Sequence, residues 1–92
     1  MSETAVGRFT IVNALGLHAR AATKLVQLAV RYRCDVQVAR DDQTANGKSV
    51  MGVLLLCGSR GTVIEVTAKG ESAQECVDAI GALIANKFGE PN

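Results

Sequence analysis

Apolar positions recur along the chain with two different periods, and the switches between them mark out the elements. Phe9-Thr10-Ile11-Val12 alternates and is β-branched, predicting a first strand over residues 6–12 with Phe9 and Ile11 on one face. Between 19 and 32, Ala22, Leu25, Ala29 and Tyr32 return at helical spacing, flanked by Val26 and Leu28, while Lys24, Gln27 and Arg31 fall towards water. Residues 35–40 read as a second strand in which Val36 and Val38 share a face with Cys34. Asp41-Asp42 is a polar break, and residues 43–46 form a short edge-like strand, so the two strands read as a hairpin. The run 50–56 is too continuously apolar to show a period, but Ser49 ahead of it is a good N-cap and points to a short helix. Over 62–69, Ile64, Val66 and Ala68 alternate with Val63, Glu65 and Thr67, as in a strand with one half-polar face. Ser72, with Glu75 three residues on, matches a capping box opening a last helix that carries Ala73, Cys76, Val77, Ile80, Leu83 and Ile84 at 3-4 spacing. Residues 86–92, with Gly89 and Pro91, are expected to fray.

The predicted order is β-α-β-β-α-β-α. Helices with one apolar stripe and strands with one apolar face imply an α+β two-layer sandwich, helices packed on one side of the sheet. Ninety-two residues, 1–92, are expected to make a single domain without repeat or linker. A net charge of +1, with Phe9, Tyr32 and Phe88 as the aromatic residues, offers neither a basic stripe nor a stacking platform, so no nucleic-acid partner is expected. The first residues lack a basic region followed by an apolar one, and the run 53–57 is too short to span a bilayer, so no signal peptide and no membrane association are expected. Cys34, Cys57 and Cys76 are widely spaced and have only one histidine to join them, so neither a metal site nor another cofactor is expected; reduced, mostly buried thiols in a cytoplasmic protein are.

The chemistry concentrates in residues 13–22. Gly16 lies in the turn between strand and helix, the lone histidine His18 at or just before the first helical turn, and Arg20 two residues on. Backbone N–H groups there lack intrahelical partners and carry the positive end of the macrodipole, a combination that binds anions, phosphate above all. Neutral imidazole is a competent nucleophile near neutral pH, and a guanidinium presents a fork of donors shaped for phosphoryl oxygens. Lone histidines are more often surface or satisfied core residues, so spacing alone leaves both readings open.

Two motifs carry a resemblance. Gly16-Leu17-His18-Ala19-Arg20 resembles the active-site motif of the HPr family, the histidine phosphocarriers of the phosphoenolpyruvate-dependent sugar phosphotransferase system. Lys48-Ser49-Val50-Met51-Gly52-Val53 resembles that family's second signature, around its regulatory serine. The likeness runs from about Phe9 to Phe88. It implies an open-faced sandwich with a four-stranded antiparallel sheet of order 1-4-2-3 and three helices on one face. It also implies that enzyme I phosphorylates His18 on Nδ1 and that the group then passes to a IIA protein or domain. Arg20 and the backbone N–H groups of Ala19 and Arg20 would steady the phosphate. The chain would be a carrier rather than a turnover enzyme, and a monomer is the default for a shuttle. Ser49 would be the site of an HPr kinase/phosphorylase, besides its capping role. Met51 and Leu54 would belong to the apolar patch that docks the partners, although either could serve the core. The family usually has proline after the arginine, and this chain has Ala21; alanine keeps the helix and restores an N–H. The alternatives are a nitrogen-related regulatory carrier of the NPr type and a non-catalytic α+β binding module.

Overall fold

The computed structural model describes residues 3–92; Met1 and Ser2, the first residues of the expected single domain, lie outside the described residues. The elements follow in the order β1 (Glu3–Thr10), α1 (Ala19–Ala29), β2 (Cys34–Arg40), β3 (Gln43–Asn46), α2 (Val50–Leu55), β4 (Val63–Gly70) and α3 (Ala73–Ala85), with a single tight turn, Lys87–Gly89, after them. The four strands form one sheet of order β1-β4-β2-β3. Every neighbouring pair is antiparallel, Phe9 opposing Ile64 and Val38 opposing both Val66 and Ala45. This is the expected sandwich.

One sheet face supplies Ala5, Val36, Val38, Ile64, Val66 and Ala68 to the core, as the two-residue period requires. The helices answer with Ala22, Leu25 and Ala29 from α1 and Ala73, Cys76, Val77, Ile80 and Ile84 from α3, all buried. Phe9 is partly buried, and its ring lies against Gly81 of α3, where an added Cβ would collide with it. A glycine in mid-helix lowers helix propensity by about 1 kcal/mol; here it lets α3 settle closely onto β1. Cys34 and Cys76 are buried and Cys57 is exposed, all three as free thiols. Burial, reinforced by the neighbouring Cys34, pushes the Cys76 thiol up to about 12, so it stays protonated at neutral pH.

Three expectations are corrected. The first helix stops at Ala29 rather than running to 32, and the chain tightens there into three-residue turns, Arg31 N–H donating to Leu28 O and Tyr32 N–H to Ala29 O. The capping box does not form: Ser72 has φ 59° and ψ 32°, and its side chain makes no cap bond. A capping hydroxyl reaches the next turn only from an extended backbone, and the sharp reversal out of β4 leaves Ser72 left-handed instead.

The third correction matters most for the site. Residues 86–92 do not fray. Lys87, Phe88 and Gly89 are all left-handed, with φ of 57°, 55° and 79°, which turns the chain back towards the start of α1. Phe88 is fully buried, and Lys24, expected to face water, donates from Nζ to Phe88 O at 2.6 Å. Left-handed backbone at two non-glycine residues costs about 1 kcal/mol or more each, and burial of a whole phenyl ring outweighs it. Replacing Phe88 by alanine should therefore lower the unfolding free energy by about 3–5 kcal/mol in urea melts.

Candidate functional site

The site is built where β1 ends. Ile11 N–H donates to Thr62 O and Leu17 N–H to Gly58 O, so the loop between β1 and α1 is pinned to the loops that follow α2. Gly16 has φ 66°, and a Cβ there would strike Gly58 O, so the turn needs glycine on both counts. Asn13 is completely buried; its Nδ2 donates to Gly16 O and to Glu90 Oε1, each at 2.9 Å. Loop and tail are thereby joined through one side-chain amide.

His18 is the residue that caps α1, with extended backbone at φ −78° and ψ 178° and no capping bond from its side chain. The first helical bond runs from Ala22 N–H to His18 O at 2.9 Å. The N–H groups of Ala19, Arg20 and Ala21 precede that bond and have no acceptor within the helix. No acidic residue sits in the first turn to compete for them. An anion delivered there meets free donors and the positive end of the helix.

The imidazole has one hydrogen-bonding partner among the described residues: Nε2 contacts Glu90 Oε2. Nδ1 is left free, and the His18 side chain is 27% exposed. Arg20 is exposed, and among the described residues the only ion pair is that of His18 with Glu90. His18, Ala19 and Arg20 line an open cleft of about 630 Å³ together with Ala14, Leu15, Glu90, Pro91 and Asn92. The Asn13 amide, followed by the His18 ring, holds the Glu90 carboxyl below the usual glutamate range. The attachment of the tail is therefore at full strength above the ordinary carboxylate range and weakens as pH falls through the lowered value.

Ser49 caps α2 as expected, with φ −118° and its hydroxyl oxygen accepting from Gly52 N–H at 3.1 Å. Met51 is 68% exposed, whereas Leu54 is half-buried and packs against the core. The exposed apolar companion of Met51, one turn on, is Leu55 at 69%, and Leu15 beside the cleft reaches 71%. Sequence patterning missed Leu55 because the run 53–56 has no polar residue to show which side faces out, and it missed Leu15, which lies in a turn with no period to read. It also missed Glu90 and the structural part of Asn13. The one hint was Phe88, an isolated aromatic in a stretch expected to be loose. Among the described residues no group of three or more His, Cys, Asp or Glu side chains is placed to hold a metal ion. Among the described residues no helix is long and apolar enough to cross a membrane.

Comparison with known proteins agrees with this geometry. Residues 6–86 match the family described as PTS HPr component phosphorylation site. The chain is 46% identical over 81 residues to the phosphocarrier protein HPr of Cupriavidus necator, covering 88% of this chain and 91% of that one. It is 43% identical over 81 residues to the phosphocarrier protein NPr of Shewanella violacea, covering 88% and 89%. Among solved structures, HPr from Thermoanaerobacter tengcongensis superposes with a TM-score of 0.91 at 36% identity, over 96% of this chain and 99% of that one. The chain belongs to the HPr family: it is a phosphocarrier of the phosphotransferase system, with enzyme I and IIA proteins as its partners, and not a turnover enzyme.

Proposed function

We propose that His18 is the residue that carries the phosphoryl group, accepting it on Nδ1 from phospho-enzyme I and passing it to a histidine of a IIA partner. The observation that carries this reading is that, among the described residues, Nδ1 of a partly exposed imidazole has no partner at the open N-terminus of α1. In the forward step the Nδ1 lone pair attacks phosphorus while the donor's P–N bond breaks and its electron pair returns to the donor imidazole. The transfer is between like nitrogens, so the protein's work is placement and charge stabilisation. Arg20 and the N–H groups of Ala19 and Arg20 hold the phosphoryl oxygens, and Ala21 contributes an N–H that proline would lack. Met51 and Leu54 belong to the docking surface for both partners, with exposed Leu55 and Leu15 extending it. The protein works as a monomeric shuttle. Ser49 is the regulatory position: a phosphate there, at the start of α2, adds nearly two negative charges beside the docking surface and opposes an acidic partner face.

With phosphoenolpyruvate and enzyme I, the wild-type protein should gain one acid-labile, alkali-stable phosphate by intact mass, and His18→Ala should gain none; labelling of the variant would overturn the assignment. Challenging the labelled protein with a sugar-specific IIA and a nitrogen-related IIA separates the HPr-type relay from the NPr-type one. Purified HPr kinase with ATP should label Ser49 and leave Ser49→Ala unlabelled. That variant, having lost its cap, should also be about 1 kcal/mol less stable to urea. An unlabelled wild type would remove the regulatory role and leave Ser49 as a cap alone.

A further inference from the structure

The tail beyond α3 is attached to the site more firmly than a chain end needs to be. Phe88 is fully buried, Lys24 Nζ holds Phe88 O, Ala14 N–H donates to Asn92 O at 2.9 Å, and the Glu90 side chain meets both Asn13 and His18. The left-handed φ at Lys87 and Phe88 is the local conformation that makes this return possible. Unfavourable backbone that persists beside a functional group is a sign that the group's placement matters.

The two oxygens of Glu90 are used differently. Oε1 takes the N–H of Asn13, whose own amide is buried and fixed by Gly16 O, so the carboxylate cannot swing away without leaving a buried donor unpaired. Oε2 is thereby aimed at Nε2 of His18. A carboxylate accepts and cannot donate, so the ring nitrogen it faces must be the one that carries the proton.

We propose that Glu90 is a positioning residue for the phosphoryl relay: anchored by Asn13, its carboxylate fixes the proton of His18 on Nε2 and keeps the lone pair on Nδ1, facing the cleft. The inference rests on His18 being the phosphoryl carrier. In the accepting step Nδ1 gives its lone pair to phosphorus, and Nε2 keeps its proton against Glu90, so the phosphorylated ring is a cation. In the donating step the P–N bond breaks, the pair returns to Nδ1, and a neutral imidazole leaves rather than an imidazolate. Glu90 touches no reacting atom. It acts through the ring, as the carboxylate behind a metal-bound histidine does.

His18 is the only histidine, so its two ring nitrogens can be read without overlap in long-range 1H–15N spectra of the full chain. At a pH above the imidazole titration, the wild-type ring should show Nε2 at the protonated-type position and Nδ1 at the unprotonated type. In Glu90→Ala and in Glu90→Gln both nitrogens should move towards averaged positions. Transfer from phospho-enzyme I should slow by about tenfold, the lower end of what removing an orienting carboxylate costs. Native-like amide spectra of the variants would show that folding is intact, and Glu90→Gln keeps the shape of the tail while losing the charge. Ring shifts equal to wild type in both variants would overturn the proposal. So would a shifted ring with transfer unchanged, because Glu90 would then set the tautomer without serving the relay. Labelling of His18→Ala would instead overturn the carrier assignment, and the ring spectra of the Glu90 variants do not bear on that result.

Discussion

The side-chain amide of Asn13 holds the site together. It is fully buried, and a buried N–H donor without an acceptor costs about 1–3 kcal/mol, so its two acceptors are not optional. One is Gly16 O, which sets the turn that presents His18; the other is Glu90, which closes the tail over the same turn. The β1–α1 loop and the last residues of the chain are therefore a single structural unit, although they lie at opposite ends of the sequence.

That unit solves a problem particular to a carrier. An acceptor of phosphate has to be ready to receive it and equally ready to release it, so the site must not hold the phosphorylated state too well. The donors at the start of α1 are backbone N–H groups with no acidic residue among them, and Arg20 stands exposed at the rim rather than buried against the ring. Exposed charges are screened and contribute modestly. The cleft beside His18 and Arg20 is open to solvent. Rigidity is put elsewhere, into the loop, the buried Phe88 and the Lys24 contact behind the ring.

The apolar surface is arranged on the same principle. Exposed Leu15, Met51 and Leu55 lie on the cleft rim and on α2, while Val53 and Leu56 of the same stretch are buried. The loop after α2 is pinned to the His18 turn through Leu17 N–H and Gly58 O at 2.7 Å, which fixes the exposed face of α2 relative to His18. A few exposed apolar side chains of this kind suit transient rather than permanent contacts.

The architecture and the position of His18 at a helix start were legible in the sequence because they rest on local rules. Alternation and helical spacing marked β1, β2, β4, α1 and α3; the Asp41-Asp42 break marked β3, and Ser49 ahead of an apolar run marked α2; Gly16, His18 and Arg20 marked the strand-to-helix junction. Where local rules failed, a longer-range constraint had overridden them. Ser72 met the pattern of a capping box, yet the reversal out of β4 put it in a left-handed conformation. Lys24 fell on the polar side of its helix, yet the returning tail gave it an acceptor. Residues 86–92 had the composition of a loose end, yet Phe88 is buried in the core beside α1 and α3. The pairing of Glu90 with His18 spans 72 residues of sequence. Sequence by itself determined the elements and the place of His18 at the start of a helix, since each depends on neighbours a few residues away. Only the tertiary structure decided which ring nitrogen is covered and which is free, because that depends on where a distant tail comes to rest when its one large apolar side chain is buried.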